Sequence, residues 1–355
     1  MMVFCTLFDS NYLDKGLVMY RSLLETGCRF KMYILAMDDE CKEVLDSYNY
    51  NNLITISLVS FSYEVGLSDV RKTRPRGEFC WTCTSFLIDY VLTKYNEPIC
   101  TYVDSDLCFY ANPKCLIDEM GDKTVQIVEH RFSDSMIDRY RKSHSGTYCV
   151  QFNTFKNTSD ALELLGWWKS KCFESCSIEN PASGVFGDQG YLENWGDKYN
   201  VSVLKHLGGG VAPWNVGQYQ LAEEGTDSIP PVLLEKKTQK NFELVFYHFH
   251  HITYYNPHKV NIHVYTFGNA DDSLINHLYI PYLRALDEVK NELRERFGVY
   301  PLLMSHPGMR EYEKKKLKFG DLIRKLIHLN VLKKMILKYD ALRQKREAWK
   351  NIISF

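Results

Sequence analysis

Two aspartates one residue apart, Asp104 and Asp106, close an apolar run, Ile99-Cys-Thr-Tyr-Val103, that reads as a buried strand. Side chains at i and i+2 share one side of an extended chain. Two carboxylates so placed repel each other and are costly to desolvate unless a cation lies between them. A hard divalent ion that takes oxygen ligands and shares them with phosphate meets that need. The expected chemistry at Asp104-Ser105-Asp106 is therefore a metal ion holding a diphosphate.

Other residue types point the same way. Leu244-Val-Phe-Tyr-His-Phe-His-His-Ile252 reads as a strand on which His248 and His250 share a face, so an imidazole can join the carboxylates, His248 first and His250 as second choice. Asp188-Gln189 follows Gly187 at a helix start; capping explains the aspartate but not the glutamine. Tyr12, after the first strand, offers a ring and a hydroxyl to a base, or simply packs on the first helix. Gly208-Gly-Gly210 before Val-Ala-Pro-Trp214 predicts an irregular loop close to a ligand or to other backbone. Arg71, Lys72, Arg74 and Arg76, around Pro75 and Gly77, make the stretch 62–80 a basic loop that either meets phosphate or is simply solvated.

These groups need a scaffold. Val3–Asp9, Phe30–Met37 and Leu53–Phe61 read as strands, alternating with helical patterns over Leu13–Glu25 and about 40–48. A further helix spans Trp81–Tyr95 and leads into the Ile99 strand. Val125–Glu129 and Tyr148–Phe155 are strands, Asn157–Phe173 is a helix and Val201–Leu207 is strand-like. Strand–helix alternation predicts an α/β fold, a doubly wound, mostly parallel sheet flanked by helices, whose ligands bind beyond the carboxyl ends of strands. Asp9–Tyr12 and Asp104–Asp106 both fall at such ends. No glycine-rich dinucleotide or Walker-type loop follows the first strand, which disfavours those nucleotide folds.

The chain has 355 residues, a net charge of −1, 45% hydrophobic and 14% aromatic residues, enough for one large or two ordinary domains around a sizeable core. Most aromatics are expected in that core. Eleven cysteines without a small-scaffold pattern suggest reduced thiols in a cytosol. Cys80 with Cys83 and Cys172 with Cys176 could form a zinc set, but their separation favours buried structural thiols. No run reaches the ~18–20 apolar residues of a membrane span, and Met1-Met-Val-Phe-Cys-Thr6 runs straight into a strand without a basic leader. Between Arg310 and Lys350 about fourteen basic residues face about five acidic ones, with Leu322, Ile323, Leu326, Ile327 and Leu329 at helical spacing. That basic amphipathic tail suits an anionic membrane surface or a partner, or packs on its own domain. A cytoplasmic location, peripheral to the inner face of the membrane through 310–350, is the expectation. No nucleic-acid partner is expected.

Taken together these blocks resemble GT-A fold nucleotide-sugar glycosyltransferases, particularly the family-8 type exemplified by glycogenin. The resemblance covers about residues 3–255 and rests on Cys5-Thr-Leu-Phe-Asp-Ser-Asn-Tyr-Leu-Asp-Lys-Gly-Leu17, Tyr102-Val-Asp-Ser-Asp106, Gly187-Asp-Gln-Gly-Tyr-Leu192 and His248-Phe249. Through Cys80-Trp-Thr-Cys-Thr84, Ala212-Pro-Trp-Asn215 and His248-Phe-His250 the chain is also similar to a group of uncharacterised bacterial glycosyltransferases. The resemblance implies that Asp106 and His248 ligate Mn²⁺ (or Mg²⁺), with Asp104 either joining them or bonding the donor. It implies that Tyr12 and the backbone near Thr6 and Leu7 hold the base, and that Asp188 and Gln189 lie near the anomeric carbon. Two departures stand out. Where relatives follow His-Phe with a glycine and Lys-Pro-Trp, this chain has His251-Ile-Thr-Tyr-Tyr255, so Lys259 or an arginine of 71–76 is expected to meet the diphosphate. Gln151 stands where a small residue is usual and is expected to narrow the sugar pocket.

The implied organisation is a catalytic domain over 1–270, with a donor half to about 110 and an acceptor half from about 111, then a helical region over 271–355. The implied activity is transfer of a sugar from a nucleoside diphosphate sugar, a UDP-linked one foremost, to a glycan or lipid-linked acceptor in cell-surface polysaccharide synthesis. Retention is favoured over inversion. Two alternatives are a haloacid-dehalogenase-like phosphatase, whose Asp-x-Asp sits nearer the N-terminus, and a non-catalytic carbohydrate-binding or scaffold protein on the same fold.

Overall fold

The computed structural model describes residues 1–177, 186–225, 229–256, 259–301 and 352–354. Its first half alternates strand and helix: β1 (Met2–Phe8), α1 (Leu13–Glu25), β2 (Phe30–Ala36), α2 (Asp39–Ser47), β3 (Leu53–Ser57), α3 (Leu58–Glu64), α4 (Ser68–Thr73), α5 (Arg76–Lys94) and β4 (Ile99–Val103). Then come β5 (Leu107–Phe109), α6 (Lys114–Asp118), β6 (Val125–Glu129), α7 (Met136–Ser145), β7 (Tyr148–Lys156), α8 (Ser159–Glu174), α9 (Trp195–Lys198) and β8 (Val201–Val203). The remainder holds β9 (Tyr219–Glu223), β10 (Val232–Glu235), β11 (Lys240–Glu243), β12 (Phe246–His248), β13 (Thr253–Asn256), β14 (Lys259–Asn261), α10 (Asp272–Phe297) and β15 (Ile352–Ser354).

Seven strands form one sheet in the order β3-β2-β1-β4-β7-β6-β8. All neighbours are parallel except β7, which runs antiparallel to β4 and β6. The expected α/β class, a doubly wound and mostly parallel mixed sheet flanked by helices, is the observed one. The chain winds outward from β1 to β2 and β3, then returns to place β4 on β1's other side. The crevice between the carboxyl ends of β1 and β4 is thus the topological switch point, where open α/β sheets bind ligands.

Burial explains why β1 reads as an unbroken apolar run. Phe4 and Phe8 enter the core shared with α1 and α10, while Val3, Cys5 and Leu7 enter the core shared with α5 and α8. A strand covered on both faces has no polar side to show. The rings of Trp168 and Trp195 fill the second core, and their centroids lie 5.4 Å apart at 84°. Core packing is thus the main use of the largest aromatics.

Several local expectations change. The stretch 62–80 is not a loop: it carries α3, α4 and the start of α5, because Phe61 and Leu67 are buried and Pro75 starts α5. Strand β3 ends at Ser57, four residues before the expected end, where α3 begins. The polar stretch 130–146 holds α7, whose start is capped by Ser135 accepting from Asp138 N at 3.1 Å. Strand β12 covers only Phe246–His248 of the run expected to be extended to Ile252, and His250 lies in the turn that follows. All eleven cysteines are free thiols.

The glycine run at 208–210 lies against other backbone. A methyl on Gly208 would come within 2.1 Å of the Glu243 carbonyl oxygen, and the Gly208 carbonyl accepts from Val245 N at 2.9 Å and Phe246 N at 3.1 Å. Gly208→Ala should therefore lower stability by about 1–3 kcal/mol, since backbone, not a flexible side chain, must yield. Urea denaturation at neutral pH checks this; an unchanged midpoint would mean that the loop is free to move.

Helix α10, in the region after 270, packs its Leu278, Tyr279, Tyr282 and Leu286 into the same core as β12 and α1. The tail at 310–350 lies outside the described residues. Among the described residues no helix is long and apolar enough to cross a membrane.

Candidate functional site

Asp104, Ser105 and Asp106 form the turn that carries the chain from β4 into β5. Strand β5 pairs antiparallel with β12, His248 opposite Leu107, and Phe249 N donates to the Asp106 carbonyl at 2.9 Å. That register puts the imidazole over the carboxylates. His248 Nε2 is 2.9 Å from Asp106 Oδ1 and 3.7 Å from Asp104 Oδ2. The other ring nitrogen, Nδ1, is 2.8 Å from Gln151 Oε1 on β7. An amide oxygen only accepts, so Nδ1 carries hydrogen and, in the neutral ring, the Nε2 lone pair faces the aspartates. A ring held so by an outer partner is a familiar arrangement for metal-ligating histidines.

His250 completes the group. Ligand atoms of Asp106, His248 and His250 lie within 4.8 Å of one another, the three-residue metal-ligating set found among the described residues. His248 is buried and His250 exposed at the rim. The Trp214 ring stands edge-on to both, 5.2 and 5.7 Å between centroids. One carboxylate oxygen and two imidazole nitrogens, with Asp104 beside them, are a donor set that suits Mn²⁺ or a related divalent ion. The cysteines form no such group among the described residues.

The electrostatics are those of an uncompensated site. Burial raises the Asp104 carboxyl and Asp106 raises it further, against the pull of His248. At Asp106 the burial penalty is outweighed by the charge and hydrogen bond of His248, so its carboxyl sits below the usual range. The same pair holds the His248 imidazolium above its ordinary value despite burial. Asp188 is 5% exposed, and burial together with the Asp104 charge pushes its carboxyl up to about 8. Asp188 precedes a single 3₁₀ turn, Gln189–Leu192, and its carbonyl accepts from Trp168 Nε1 at 3.0 Å. Gln189 Nε2 donates to the Ser145 carbonyl at 2.7 Å. The site thus gathers Asp104, Asp106 and His248, with Asp188 near enough to feel Asp104 and Gln189 next to it in the chain.

On the β1 side, Tyr12 ends a 3₁₀ turn capped by Asp9, whose side chain accepts from Asn11 N at 3.1 Å. Burial and the charges of Asp106, Asp14 and Asp104 raise the Tyr12 hydroxyl pKa. Thr6 and Leu7 lie inside β1, in register with Ile34 and Leu35 of β2. Ser105 is buried. Gln151 is fully buried and engaged with His248.

The basic residues separate. Arg74 donates to the Cys172 and Phe173 carbonyls, closing the C-terminus of α8, and Lys72 pairs with Asp69 at 2.8 Å on the surface. Arg76 pairs with Asp9 at the carboxyl end of β1. Lys259 begins β14. Sequence reasoning missed Lys15 in the first turn of α1, which is 5% exposed with its ammonium 4.2 Å from the Tyr12 ring centroid. Its only signal was a lysine where the first turn of a helix favours acids.

No protein-family model matches the chain. The uncharacterized protein YfnF of Bacillus subtilis (strain 168) is 30% identical over 254 residues, which span 69% of this chain and 80% of that protein. YfnD of the same organism, also uncharacterized, is 25% identical over 301 residues, 83% of this chain and 91% of that protein. Among solved structures, the galactosyltransferase LgtC in complex with donor and acceptor sugar analogs superposes with a TM-score of 0.48 at 12% identity, covering 83% of this chain and 99% of LgtC.

Proposed function

The chain belongs to the family of YfnF of Bacillus subtilis, and we propose that it is a metal-dependent glycosyltransferase that takes a sugar from a nucleoside diphosphate sugar. One observation carries the reading: two aspartates at the carboxyl end of β4 and an imidazole from β12 meet, 2.9 Å apart at closest, at the switch point of a doubly wound sheet.

In this reading Asp106 and His248 hold Mn²⁺ or Mg²⁺, with Asp104 and His250 flanking them. The histidine content favours Mn²⁺. A divalent ion there supplies Lewis-acid stabilisation of the charge that develops on the leaving diphosphate. The protein's own groups do the rest. Gln151 fixes the tautomer of His248 and so its aim, and its bulk narrows the sugar pocket. Tyr12, Thr6 and Leu7 border the base, and Ser105 lies between the two carboxylates. Asp188 and Gln189 face the sugar and the acceptor.

Retention is the proposed outcome, because the acceptor side offers an amide and a carboxyl held protonated by burial rather than a ready carboxylate base. A UDP-linked donor, a glycan or lipid-linked acceptor and a role in surface polysaccharide synthesis extend the proposal. So does a location in the cytoplasm with membrane contact through 310–350.

A thermal-shift screen against nucleotide sugars, with Mn²⁺ or with EDTA, tests the core of this reading. A ligand at 100 times its Kd adds about 2.7 kcal/mol to the folded state. A rise of roughly 4 °C is therefore expected for the right donor, present with Mn²⁺ and absent with EDTA. No shift with any nucleotide sugar in Mn²⁺ would overturn the proposal.

A further inference from the structure

His248 and His250 reach one place by different means. Strand pairing carries His248, which ends β12 opposite Leu107 of β5. The backbone beyond it is pinned at Phe249, whose N–H donates to the Asp106 carbonyl at 2.9 Å and whose ring stacks on Tyr282 with centroids 3.6 Å apart at 5°. The chain then leaves the strand through a turn in which His251 is left-handed, with φ of 62°. His250 lies in that turn and is exposed, yet its ligating nitrogen is within 4.8 Å of the ligand atoms of Asp106 and His248. The two imidazoles stand at 80° with centroids 5.5 Å apart, and the Trp214 ring meets both edge-on. An indole N–H only donates, so Trp214 walls the pair without competing for an ion.

Asp104 is the odd member. Its Oδ2 is 3.7 Å from His248 Nε2, against 2.9 Å for Asp106 Oδ1, and it falls outside the set of ligand atoms that converge. The convergent set is one carboxylate and two imidazoles, where the sequence suggested two carboxylates and one imidazole. The difference decides which ion fits. Mg²⁺ takes oxygen ligands and gives up its waters reluctantly, whereas imidazole suits the transition metals. We propose that Asp106, His248 and His250 form a two-imidazole metal centre that takes Mn²⁺ or a later first-row divalent ion and discriminates against Mg²⁺, with Asp104 beside the centre instead of in it. Such a set leaves positions open for oxygen ligands, as the diphosphate of a donor would supply. This rests on the metal-dependent reading above and deepens it, naming the second imidazole as a ligand and the class of ion.

The test is spectroscopic. The full chain is titrated with Mn²⁺, with and without UDP, and the electron spin echo modulation from coordinated nitrogen is recorded for wild type, His250→Ala and His250→Asp. Two coordinated imidazoles are expected in wild type and one in each variant. Mn²⁺ affinity should fall by about tenfold or more in His250→Ala, since even an outer partner of a ligand is worth that much. His250→Asp replaces nitrogen with oxygen, so it should recover part of the Mn²⁺ affinity and lower the preference for Mn²⁺ over Mg²⁺ by about tenfold or more. His250 is exposed, so both variants are expected to fold. One coordinated imidazole in wild type, or two retained in His250→Ala, overturns the inference and leaves Asp106 and His248 as the metal centre. Equal affinity of wild type for Mn²⁺ and Mg²⁺ overturns the selectivity. A wild type that binds no Mn²⁺, with or without UDP, overturns the metal-dependent reading and this inference together.

Discussion

Replacing Asp106 by asparagine should lower affinity for Mn²⁺ by about 100-fold or more and abolish Mn²⁺-dependent binding of UDP. Loss of an outer partner of a metal ligand alone costs about 10- to 100-fold, and Asp106 is proposed as a ligand itself. The residue is 8% exposed and its Oδ1 is 2.9 Å from His248 Nε2, nearer than the 3.7 Å of Asp104 Oδ2, so it is the carboxylate best placed to share an ion with that ring. A pH dependence follows. Asp106 and Asp104 raise the imidazolium of His248, and a metal ligand must be neutral, so uptake of Mn²⁺ releases a proton. Mn²⁺ affinity should therefore climb as pH rises through and above the ordinary histidine range and level off once His248 is neutral. In Asp106→Asn that climb should end at lower pH, because the largest charge holding the proton is gone. Titrations in buffers of different ionisation enthalpy count the protons. An Asp106→Asn protein that binds Mn²⁺ as wild type does would remove the metal centre from the proposal.

Replacing Asp188 by asparagine should stabilise the metal-free protein while lowering sugar transfer by about 100-fold or more, as expected when a group aimed at the reacting centre is lost. Burial and Asp104 push the Asp188 carboxyl up to about 8, well above its value of about 3.9 in an unfolded chain. The sign follows from linkage: between those two values the unfolded state has lost the proton that the folded state keeps, so stability falls as pH rises from about 4 to about 8 and is flat above. At about 1.4 kcal/mol per unit, the strain at pH 8 has a ceiling of about 5 kcal/mol. Asparagine has no such proton to lose, and most of that slope should vanish. Urea denaturation at pH 5 and pH 8 in EDTA measures it directly. An equally steep slope in Asp188→Asn would assign the pH dependence to other groups. A variant with full transfer activity would move the reacting centre away from residue 188.

What could be read from the sequence was what is encoded locally. The carboxyl ends of β1 and β4 showed themselves because a strand buried on both faces is an unbroken apolar run, and the polar residues that end it stand out. The 3.6-residue period of α1 and the turn residues before α5 are local in the same sense. The stretch 62–80 misled because its burial is sparse: Phe61 and Leu67 anchor helices whose other faces carry charge, and the charges suggested a loop. Arg74 was legible as a cation but not as a helix cap, since the carbonyls that it meets lie almost a hundred residues away.

The residues of the site divide on the same line. Asp104, Asp106 and His248 were legible as candidates from residue type and spacing, because two carboxylates at a strand end and an imidazole on another strand form a possible donor set for a cation. That His248 meets Asp106 rather than Asp104 is a matter of register, His248 opposite Leu107. No property of either segment alone sets that register. Gln151 hydrogen-bonds His248 because β7 runs antiparallel beside β4 and brings the two side chains together. The sequence by itself determined which residues could do chemistry and which segments carry them, since periodicity and residue type are properties of neighbours in the chain. Only the tertiary structure decided which of them meet and which charges lie close, because strand order and register bring together residues that are distant in sequence.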